Sequence, residues 1–457
     1  MNSSRRSRRR DFLRISAGAA FVAALGRPIR ALEGRRLKVA AIVTEFTYRS
    51  HAHCILENFL QPYYFNGQVT NPGCDVVSLY VDQFPAKRDM ARDVSKVYQI
   101  PIYGTIAEAL CRGGPALAVD AVLSIGEHGT YPTNAKGQRE FPRKRFFDGI
   151  AAVIRPSGRA IPVFNDKHLS YRWDWAKAMY DTAREIRIPF MAGSSVPLAQ
   201  RVPSLEIPAG SKITEAVSTH GGSLDSYDFH GFEVLQSMVE SRAGGETGVA
   251  SVQYLGNEAL RKAADAGDWS PDLLQAAWDV EPGRKERSTL DQFWNSQPWG
   301  LSVRYRDGLR GMCVKTSGDG TRWHFACRIA GQSKPLATNF YVGPWRNRCL
   351  FKALSHAIQT CFRDGKAPYP VERTLLTTGM VAAGVDSHAD HDRPFETPYL
   401  DVKYTPIDYR AMREMGASWK IITEATPEPL GIDRLGKAVP PMAPPGSEGG
   451  YNPVRKK

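Results

Sequence analysis

The 457-residue sequence is poor in cysteine, and its cysteines are badly placed for a framework of disulfide bonds. Its seven cysteines are an odd number, lie far apart, and include no C-x-x-C pair. The pattern therefore excludes a disulfide scaffold and a zinc knuckle. We expect most of these side chains to be buried as small apolar groups, and they do not tell whether the compartment is oxidising.

The sequence also lacks basic charge outside its N-terminus. The formal net charge is +13, but residues 1–36 hold ten arginines against Asp11 and Glu33, which leaves only +5 for the other 421 residues. A nucleic-acid-binding protein carries a basic surface on its folded domain. We therefore predict no nucleic-acid partner.

The apolar run Ile15–Gly26 covers twelve residues, whereas a helix that spans a bilayer needs about 20. We predict no stable membrane span. The run follows RRDFLR at residues 9–14, which has the twin-arginine pattern of an export signal. Residues 1–36 are therefore predicted to be a signal and leader for the twin-arginine translocation machinery, and the protein to be periplasmic or otherwise exported. That route carries folded proteins, often with a cofactor; a disordered basic arm is the alternative.

From residue 37 the sequence alternates short apolar runs with amphipathic segments, as strands and helices do in turn. This alternation favours an α/β fold with a doubly wound parallel sheet of the Rossmann type at residues 37–197. The predicted strands are Leu37–Val43, Asp75–Val81, Val119–Ile125, Ile161–Phe164 and Ile188–Ala192. The predicted helices are Ser50–Leu60, Met90–Val97 and Tyr103–Leu110, followed by a helix that Ser170 caps.

After residue 197 the sequence changes to strands separated by turns. Residues 198–425 are predicted to form an α+β domain with an open, mainly antiparallel sheet, and Asp307-Gly308 and Asp319-Gly320 are good hairpin turns. The tryptophan-bearing residues 256–300 read as an insertion that could cover a cleft, make an oligomer contact or pack in a core. Residues 426–457, rich in proline and glycine, are predicted to be a flexible arm or a strap.

A dense polar segment, Asn165–His168, follows the fourth predicted strand. In an open parallel sheet, ligands bind beyond the carboxyl ends of the strands, so we place the candidate site there. A second polar segment, Gly126–Tyr131, follows the third predicted strand. Its Glu127 and His128 could act as acid and base.

These segments resemble the glucose–fructose oxidoreductase and inositol dehydrogenase (Gfo/Idh/MocA-like) family. In that family one strand ends in Glu-Lys-Pro and the next reads apolar-Val-Gly-polar. Here Asp166, Lys167 and His168 stand in the first motif and Met191–Ser195 in the second, and the order of elements is similar over nearly all of the mature chain. The resemblance implies hydride transfer between NAD or NADP and a hydroxyl or carbonyl of a sugar-like substrate, and a second domain that often forms a dimer face.

The resemblance also implies roles for single residues. Lys167, with Asp166 beside it, would orient and polarise the substrate oxygen. His230, which matches the family's histidine at a helix start, would exchange the proton of that oxygen. Asp82 stands where family members bind the adenosine ribose, and Glu127–His128 stand on the nicotinamide side.

The loop after the first strand departs from the family. Family members carry three glycines there in G-x-G-x-x-G, which let the backbone approach a pyrophosphate. Val43, Glu45 and Tyr48 occupy those places, although His51-Ala52 match the end of the pattern. Glu45 adds a like charge beside the phosphates, at a cost of about 1–4 kcal/mol. Binding of NAD or NADP with Glu45 and His51 in the crevice, and a cofactor-free sugar-binding protein on the same fold, both remain open.

A third hypothesis is a metal-assisted hydrolase or lyase. The segment His388–Asp392 is the densest group of imidazole and carboxylate side chains, and Glu127 and His128 are the other candidates. That segment falls in a predicted loop with no partner histidine at a helical offset. We therefore predict a solvated loop there and no metal ligands.

Overall fold

The structure is a computed structural model, and it describes residues 35–281, 288–316, 322–429, 431–434 and 437–439. The predicted export signal lies outside the described residues except for its last two positions, as do most of the predicted tail and the Asp319-Gly320 turn. Across the described ranges, no helix is both long enough and apolar enough to cross a membrane.

The N-terminal half of the described chain alternates strands and helices. In chain order its elements are β1 (Leu37–Val43), α1 (His51–Leu60), β2 (Tyr63–Phe65), β3 (Gln68–Thr70), β4 (Cys74–Val81), α2 (Ala91–Tyr98), β5 (Ile102–Tyr103), α3 (Ile106–Cys111), β6 (Ala121–Ile125), α4 (Arg143–Ser157), β7 (Val163–Asp166), α5 (Trp173–Glu185) and β8 (Phe190–Gly193). Six of these strands pair in the order β5-β4-β1-β6-β7-β8, and every pairing is parallel. This is the strand order of a dinucleotide-binding fold, so the predicted Rossmann-type sheet is confirmed.

The central strands β1 and β6 are buried on both faces, as expected where helices cover a parallel sheet from each side. Alternate residues of β1 pack into two hydrophobic clusters, Val39 and Ala41 into one, Ala40 and Ile42 into the other. Full burial of a side chain such as valine or isoleucine contributes about 1.5–3 kcal/mol. A continuous apolar run is therefore what this position requires.

The segment between β4 and β6 differs from the prediction of a single helix over residues 103–110. Ile102–Tyr103 pairs with β4 as a strand, and α3 begins after Thr105. Thr105 accepts from the Glu108 N–H at 3.1 Å, and the Glu108 carboxylate accepts from the Thr105 N–H at 3.0 Å. This capping box fixes where the helix starts.

The strand before the candidate site runs further than predicted. β7 extends to Asp166, which pairs with Gly193 of β8, so Asn165 and Asp166 are strand residues and not part of a turn. The prediction that Ser170 caps the next helix is also wrong. Its hydroxyl accepts the N–H of Arg172, one residue before α5 begins.

The second half of the described chain is built around a larger sheet. In chain order its strands and α-helices are β9 (Gln200–Val202), β10 (Ile213–His220), α6 (Asp228–Val239), β11 (Val249–Leu255), α7 (Asn257–Asp265), α8 (Pro271–Asp279), α9 (Leu290–Asn295), β12 (Trp299–Tyr305), β13 (Arg310–Lys315), β14 (Trp323–Ile329), β15 (Leu336–Tyr341), α10 (Asn347–Asp364), α11 (Val371–Ala389), β16 (Phe395–Glu396), β17 (Ile432–Arg434) and β18 (Lys437–Val439). Eight strands pair in the order β16-β11-β12-β13-β10-β14-β15-β9, and β10–β13 is the parallel pair among them. The predicted open, mainly antiparallel sheet is confirmed.

The residues read as an insertion, 256–300, supply part of this domain's core. Trp269 and Trp278 are 2% and 3% exposed and lie in one hydrophobic cluster with Val217 and Met312 of the sheet. Trp269 also donates its ring N–H to the carbonyl of Leu260 at 2.9 Å. Of the three roles considered from the sequence, these contacts support core packing.

Helix α10 of the second domain packs directly on α1 of the first. Nε of Arg348 donates to the Glu57 carboxylate at 3.1 and 3.2 Å, and Gln359 donates to the carbonyl of Asn58 at 2.8 Å. Burial alone would raise the pKa of Glu57, but Arg348 lowers it, so the buried pair stays charged. The two domains are therefore held together by a specific, directional contact.

Candidate active site

The candidate site lies where the carboxyl ends of three strands meet the start of α1. Glu127 comes two residues after β6, Lys167 directly follows β7, and Ser194 directly follows β8. His51 is the first residue of α1, and His230 stands in the first turn of α6. Because parallel strands bring their carboxyl ends to one edge, the sheet topology alone gathers three of these residues.

Glu127 lies at the centre of a buried group of charges. Its Oε1 accepts from Lys167 Nζ at 2.8 Å, and its Oε2 accepts from Nη2 of Arg143. Burial alone would raise the pKa of Glu127, but Lys167 and then Arg143 lower it well below its usual value. Glu127 is therefore charged at neutral pH, and the two cations leave the group with a net positive charge.

The backbone of Lys167 lies in the left-handed region, with φ of 63°, and forms an isolated bridge with Gly193. A residue with a side chain pays about 1–2 kcal/mol for this conformation. The turn out of β7 lets the side chain, which is 5% exposed, reach Glu127. Backbone strain of this kind is typical of functional sites.

His51 and Asp166 form a buried pair of imidazole and carboxylate. Nδ1 of His51 lies 2.6 Å from Oδ2 of Asp166, which is 1% exposed. An ionised carboxylate can only accept, so His51 donates from Nδ1 and keeps Nε2 as a free acceptor. The His51 ring packs edge-on against His128 at 5.1 Å and Phe351 at 4.7 Å. A histidine oriented in this way has the form of a general base.

His230 has the complementary arrangement. Its Nδ1 lies 2.6 Å from Oγ of Ser194, an oxygen that already accepts the N–H of Val196 at 3.0 Å. This pattern favours donation from the hydroxyl to Nδ1, which puts the ring proton on Nε2. Burial lowers the pKa of His230 well below its usual value, and the charge of Lys167 lowers it further. His230 is therefore neutral at neutral pH and presents an N–H donor.

Two further histidines complete the group. Burial lowers the pKa of His128 to about 3. Nε2 of His168 lies 3.2 Å from Arg143 Nη1, and burial followed by Arg143 lowers its pKa well below its usual value. Nε2 of His128 and Nδ1 of His168 are buried and have no hydrogen-bond partner in the part of the chain that the structure describes. Such atoms cost about 1–3 kcal/mol each, which marks a site that a ligand can satisfy.

Six of the eight sequence-predicted site residues come together in one cleft at this edge, whereas Glu45 and Asp82 are bonded to other partners. Glu45 accepts from the hydroxyl of Thr47 at 2.9 Å, and Asp82 lies at the end of β4. We name the gathered residues, with His168, the histidine cleft: His51, Glu127, His128, Asp166, Lys167, His168 and His230.

Sequence reasoning missed Arg143, Ser194 and Phe351. Arg143 is completely buried, but in the sequence it stands in a run of basic residues that carries no signal of burial. Ser194 lies inside the Met191–Ser195 motif and could have been found from it. Phe351 reaches His51 from α10, and no local pattern links two positions so far apart.

The candidate metal ligands do not join the cleft. Among the described residues, one group of side chains could hold a metal ion by distance. It consists of His220, Asp228 and Cys313, whose ligand atoms lie within 4.8 Å of one another. His220 Nε2 lies 2.9 Å from Asp228 Oδ1, so a hydrogen bond accounts for their contact without an ion. His388 belongs to the last turn of α11, not to a loop, and its Nδ1 pairs with Asp392 at 2.8 Å on the surface.

No family model matches this chain, and no curated protein matches it by sequence. Solved structures match it by fold. GenD2 from gentamicin A biosynthesis, solved in complex with NAD, is 12% identical with a TM-score of 0.51, over 79% of this chain and 96% of that chain. Myo-inositol dehydrogenase from Corynebacterium glutamicum ATCC 13032 is 12% identical (TM-score 0.47, 79% and 98% covered), and scyllo-inositol dehydrogenase from Lactobacillus casei is 11% identical (TM-score 0.48, 79% and 98% covered). The chain shares the fold of GenD2, with a Rossmann-type sheet followed by an open, mainly antiparallel sheet.

This fold places a dinucleotide across the carboxyl end of β1, with its pyrophosphate at the start of the next helix. Here the loop between β1 and α1 is folded in on itself, and Phe46 within it is completely buried. The Ser50 hydroxyl accepts the N–H of His53 at 3.2 Å, and Nδ1 of His53 accepts the N–H of Arg49 at 2.7 Å. Protein groups therefore use N–H groups that a phosphate would need.

Besides the loop between β1 and α1, a second segment occupies the place of a dinucleotide at the carboxyl end of β1. Residues 126–131, which we name the crossing segment, run from β6 back to the end of β4. Gln83 and Thr130 exchange hydrogen bonds of 2.8 and 2.9 Å, and the Tyr131 hydroxyl donates to Asp82 at 2.7 Å. Asp82 also accepts from Arg145 at 2.7 Å. The residues present do not fit a dinucleotide in the usual position, and Asp82 is already occupied.

Proposed function

We propose that the protein is an enzyme that transfers protons at a hydroxyl or carbonyl group of a sugar-like substrate in the histidine cleft, without a dinucleotide across β1. One observation carries the proposal: two histidines whose ring hydrogen bonds give them opposite roles share the cleft. His51, bonded to Asp166, offers a ring nitrogen that accepts a proton, and His230, bonded to Ser194, offers one that donates. Lys167 supplies a fixed cation beside them.

Lys167 is suited to polarise a substrate oxygen. Glu127 uses one of the three N–H donors of its ammonium group, which leaves two for a ligand. Arg143 holds the other oxygen of Glu127, so the carboxylate stays ionised and does not take the lysine proton. A cation fixed in a buried site stabilises negative charge that develops on an oxygen during the reaction.

The proton transfers follow from these roles. His51 takes a proton from the carbon beside a carbonyl group, and Asp166 stabilises the imidazolium that forms. The electron pair of the broken C–H bond moves toward the carbonyl oxygen, beside Lys167. His230 donates a hydrogen bond from its Nε2–H to that oxygen and stays neutral. The proton on His51 then either returns to the former carbonyl carbon, while the neighbouring hydroxyl proton passes to the former carbonyl oxygen, or goes to a hydroxyl group that leaves from the next carbon. The product is an isomer of the substrate in the first case and, in the second, the substrate less one water.

The fold supports a second candidate, the nicotinamide-dependent oxidoreductase that the sequence resemblance implies. The observation in its favour is the likeness to GenD2, whose structure contains NAD. Lys167 would then orient the substrate hydroxyl and His230 would exchange its proton. The loop after β1 and the crossing segment would both have to move for NAD or NADP to enter, which is why this candidate stands second.

Two measurements separate the candidates. The first is mass spectrometry of small molecules released by denaturing the purified protein, with calorimetric titration of NAD and NADP into the native protein. The second is incubation with ketoses, aldoses and inositols in D2O, followed by NMR of the carbon-bound hydrogens. We expect no bound nucleotide and deuterium incorporation that is lost in His51→Asn but kept in His388→Asn, a matched change of an exposed histidine.

The other outcomes are equally definite. Nucleotide bound to the protein, or tight binding of added NAD, would contradict the first candidate and establish the second. Sugar binding with neither exchange nor oxidation would leave a cofactor-free sugar-binding protein on this fold.

We also propose that the protein acts outside the cytoplasm, on the basis of the twin-arginine pattern at residues 9–14. Cell fractionation should find the wild-type protein in the periplasm and the Arg9→Lys, Arg10→Lys double variant in the cytoplasm. Equal distribution of the two would contradict export by this route.

A further inference from the structure

A cavity of about 460 Å³ lies in the second domain, away from the histidine cleft. Its walls come from β9, the last turn of α6 and residues 406–413. Cavities that bind small molecules usually measure about 300–1,000 Å³. A helix rises about 1.5 Å per residue, so Glu240, at this end of α6, lies about 15 Å along the helix from His230.

Arg413 is the most unusual group in the cavity wall. It is 1% exposed, and its Nη2 donates to the carboxylate of Glu206. Its Nε and Nη1 are buried and have no hydrogen-bond partner within the described residues. A buried guanidinium with two of its nitrogen atoms unpartnered is costly, because the donors have lost water and gained nothing in return.

Arg201 reaches the same cavity from β9. Its Nη1 donates to Glu206 at 3.2 Å and its Nη2 to the Tyr409 hydroxyl at 3.2 Å, while its Nε is another buried donor without a partner in the described chain. Burial lowers the pKa of Arg201, and the charge of Arg413 acts in the same direction. Glu206 is thus the carboxylate bonded to both arginines, and Nε and Nη1 of Arg413 and Nε of Arg201 are left without a partner in the described chain.

The other carboxylates around the cavity are already neutralised. Both oxygens of Glu240 accept from Arg373, and one of them also accepts from the Tyr404 hydroxyl. Asp408 is bonded to Arg410 on the surface. Neither carboxylate is therefore free to compensate Arg201 or Arg413.

Much of the remaining lining is apolar, although Ser237, Ser241 and Arg410 also contribute to it. Ile207 and Met238 line the cavity, and Ile407 at its edge is 37% exposed. A smaller cavity of about 130 Å³ shares Arg201 and Arg413 and includes Met415, which is 53% exposed. The site therefore combines buried cationic donors with an apolar entrance.

We propose that this cavity binds a small organic anion, a carboxylate or a phosphate monoester with an apolar body. Its anionic group accepts from the free donors of Arg413 and Arg201, and its apolar part packs against Met238 and Ile407. The site is separate from the histidine cleft and does not depend on the function proposed for that cleft.

The test uses calorimetry on the full-length protein with three probes of one shape: 4-bromobenzoate, 4-bromophenyl phosphate and the neutral 4-bromobenzyl alcohol. At least one anion should bind tenfold or more tightly than the alcohol, and the tighter of the two tells carboxylate from phosphate recognition. Crystals soaked with that probe should show the bromine signal in the cavity. Equal binding of all three, no binding of either anion, or bromine elsewhere would overturn the proposal.

Variants locate the binding. Arg413→Gln should weaken the anion tenfold or more, and so should Ile407→Asp, which places a negative charge at the exposed entrance and does not disturb the core. Arg393→Gln, an exposed arginine outside the cavity, should bind like the wild type. If Arg413→Gln does not fold, Ile407→Asp decides, and wild-type affinity in that variant would contradict the site.

Discussion

Two halves of the same sheet edge behave in opposite ways. Over β4 and β1, which we name the closed half, polar groups are bonded to one another: Asp82 to Tyr131 and Arg145, Gln83 to Thr130. Over β6, β7 and β8, which we name the charged half, the pairing leaves donors and acceptors facing the cleft. The comparison teaches that a fold decides where a ligand can bind, while side chains decide which ligand binds there.

The difference has a simple electrostatic basis. In the closed half, burial alone would raise the pKa of Asp82, but donation from Arg145, Tyr80 and Tyr131 lowers it, so the carboxylate is satisfied within the protein. In the charged half Glu127 accepts from Arg143 and Lys167, and two N–H donors of Lys167 remain for a substrate oxygen. In the closed half, an anionic dinucleotide would meet polar groups that are already hydrogen-bonded within the protein. In the charged half, a small polar substrate would meet groups that can still form hydrogen bonds.

The largest effect is expected from removing the cation of the charged half. Lys167→Met should lower kcat about 100- to 1,000-fold, as loss of a group that stabilises developing charge does elsewhere. The matched change in the closed half, Asp82→Asn, should leave kcat within about threefold, because Asp82 touches the crossing segment and not the cleft. Steady-state kinetics of both variants test this. A comparable loss of kcat in the two variants would show that the halves do not differ in this way.

A second large effect concerns the base. His51→Asn should lower kcat about 100-fold with little change in KM, because general base catalysis contributes about 10²–10⁴-fold. Asp166→Asn should lose a similar factor, since an amide does not stabilise the imidazolium and does not fix the tautomer. Rate measurements over pH provide the check: a profile that keeps its shape in Asp166→Asn would argue against the pair.

Stability should depend on pH partly through the charged half. Burial holds the pKa of His128, His168 and His230 below the value of about 6.5 that histidine has in an unfolded chain. Below that pH the unfolded state binds more protons, so the free energy of unfolding falls as the pH falls from 6.5 toward 4. Asp225, whose pKa burial raises to about 6, acts in the opposite direction over part of this range. Burial also lowers the pKa of His53 to about 3 and that of His356 to about 4, and these two act in the same direction as the three histidines.

Denaturant unfolding at several pH values measures this slope. His128→Asn should reduce it by up to about 1.4 kcal/mol per pH unit, which is the linkage of one proton. The exposed His388→Asn is the matched control and should leave the slope unchanged. Stability that stays flat between pH 7 and 5 would show that these histidines are not held neutral.

The smallest effect is expected in the closed half. Tyr131→Phe removes one hydrogen bond to a charged acceptor and should lower the free energy of unfolding by about 1–2 kcal/mol, without loss of activity. Tyr399→Phe, at an exposed position, should change it by less than about 0.5 kcal/mol. Chemical denaturation compares the two, and strong NAD binding gained by Tyr131→Phe would mean that the crossing segment alone closes this half.

The fold was largely predictable because it depends on patterns that repeat locally. The run Leu37–Val43 gave the first strand with its observed boundaries, and the polar segment after β7 pointed to Lys167. The predicted bounds of helices and strands were wrong where pairing with a distant strand outweighs the local pattern. Ile102–Tyr103, for example, is a strand because β4 lies beside it. In the site, residues that follow strands were found, since topology places them at one edge.

What could not be predicted were the partners. The bond between His51 and Asp166 joins positions 115 residues apart, and the bond between Tyr131 and Asp82 depends on which way a loop folds. Periodicity and turn chemistry carry no information on either. Arg143 could not be predicted for a related reason. The local sequence does not distinguish a buried arginine from an exposed one, and only the structure shows that Glu127 lies beside it.

The contact between α1 and α10 can form only late in the synthesis of the chain. Glu57 leaves the ribosome 291 residues ahead of Arg348, so at about 5–20 residues per second it waits about 15–60 s for its partner. Throughout that interval the first domain holds a carboxylate that only the last third of the chain can neutralise. Under the twin-arginine export proposed above, which carries folded proteins, arrival of α10 would thus be the event that releases the chain for transport, and a truncated chain would be held back.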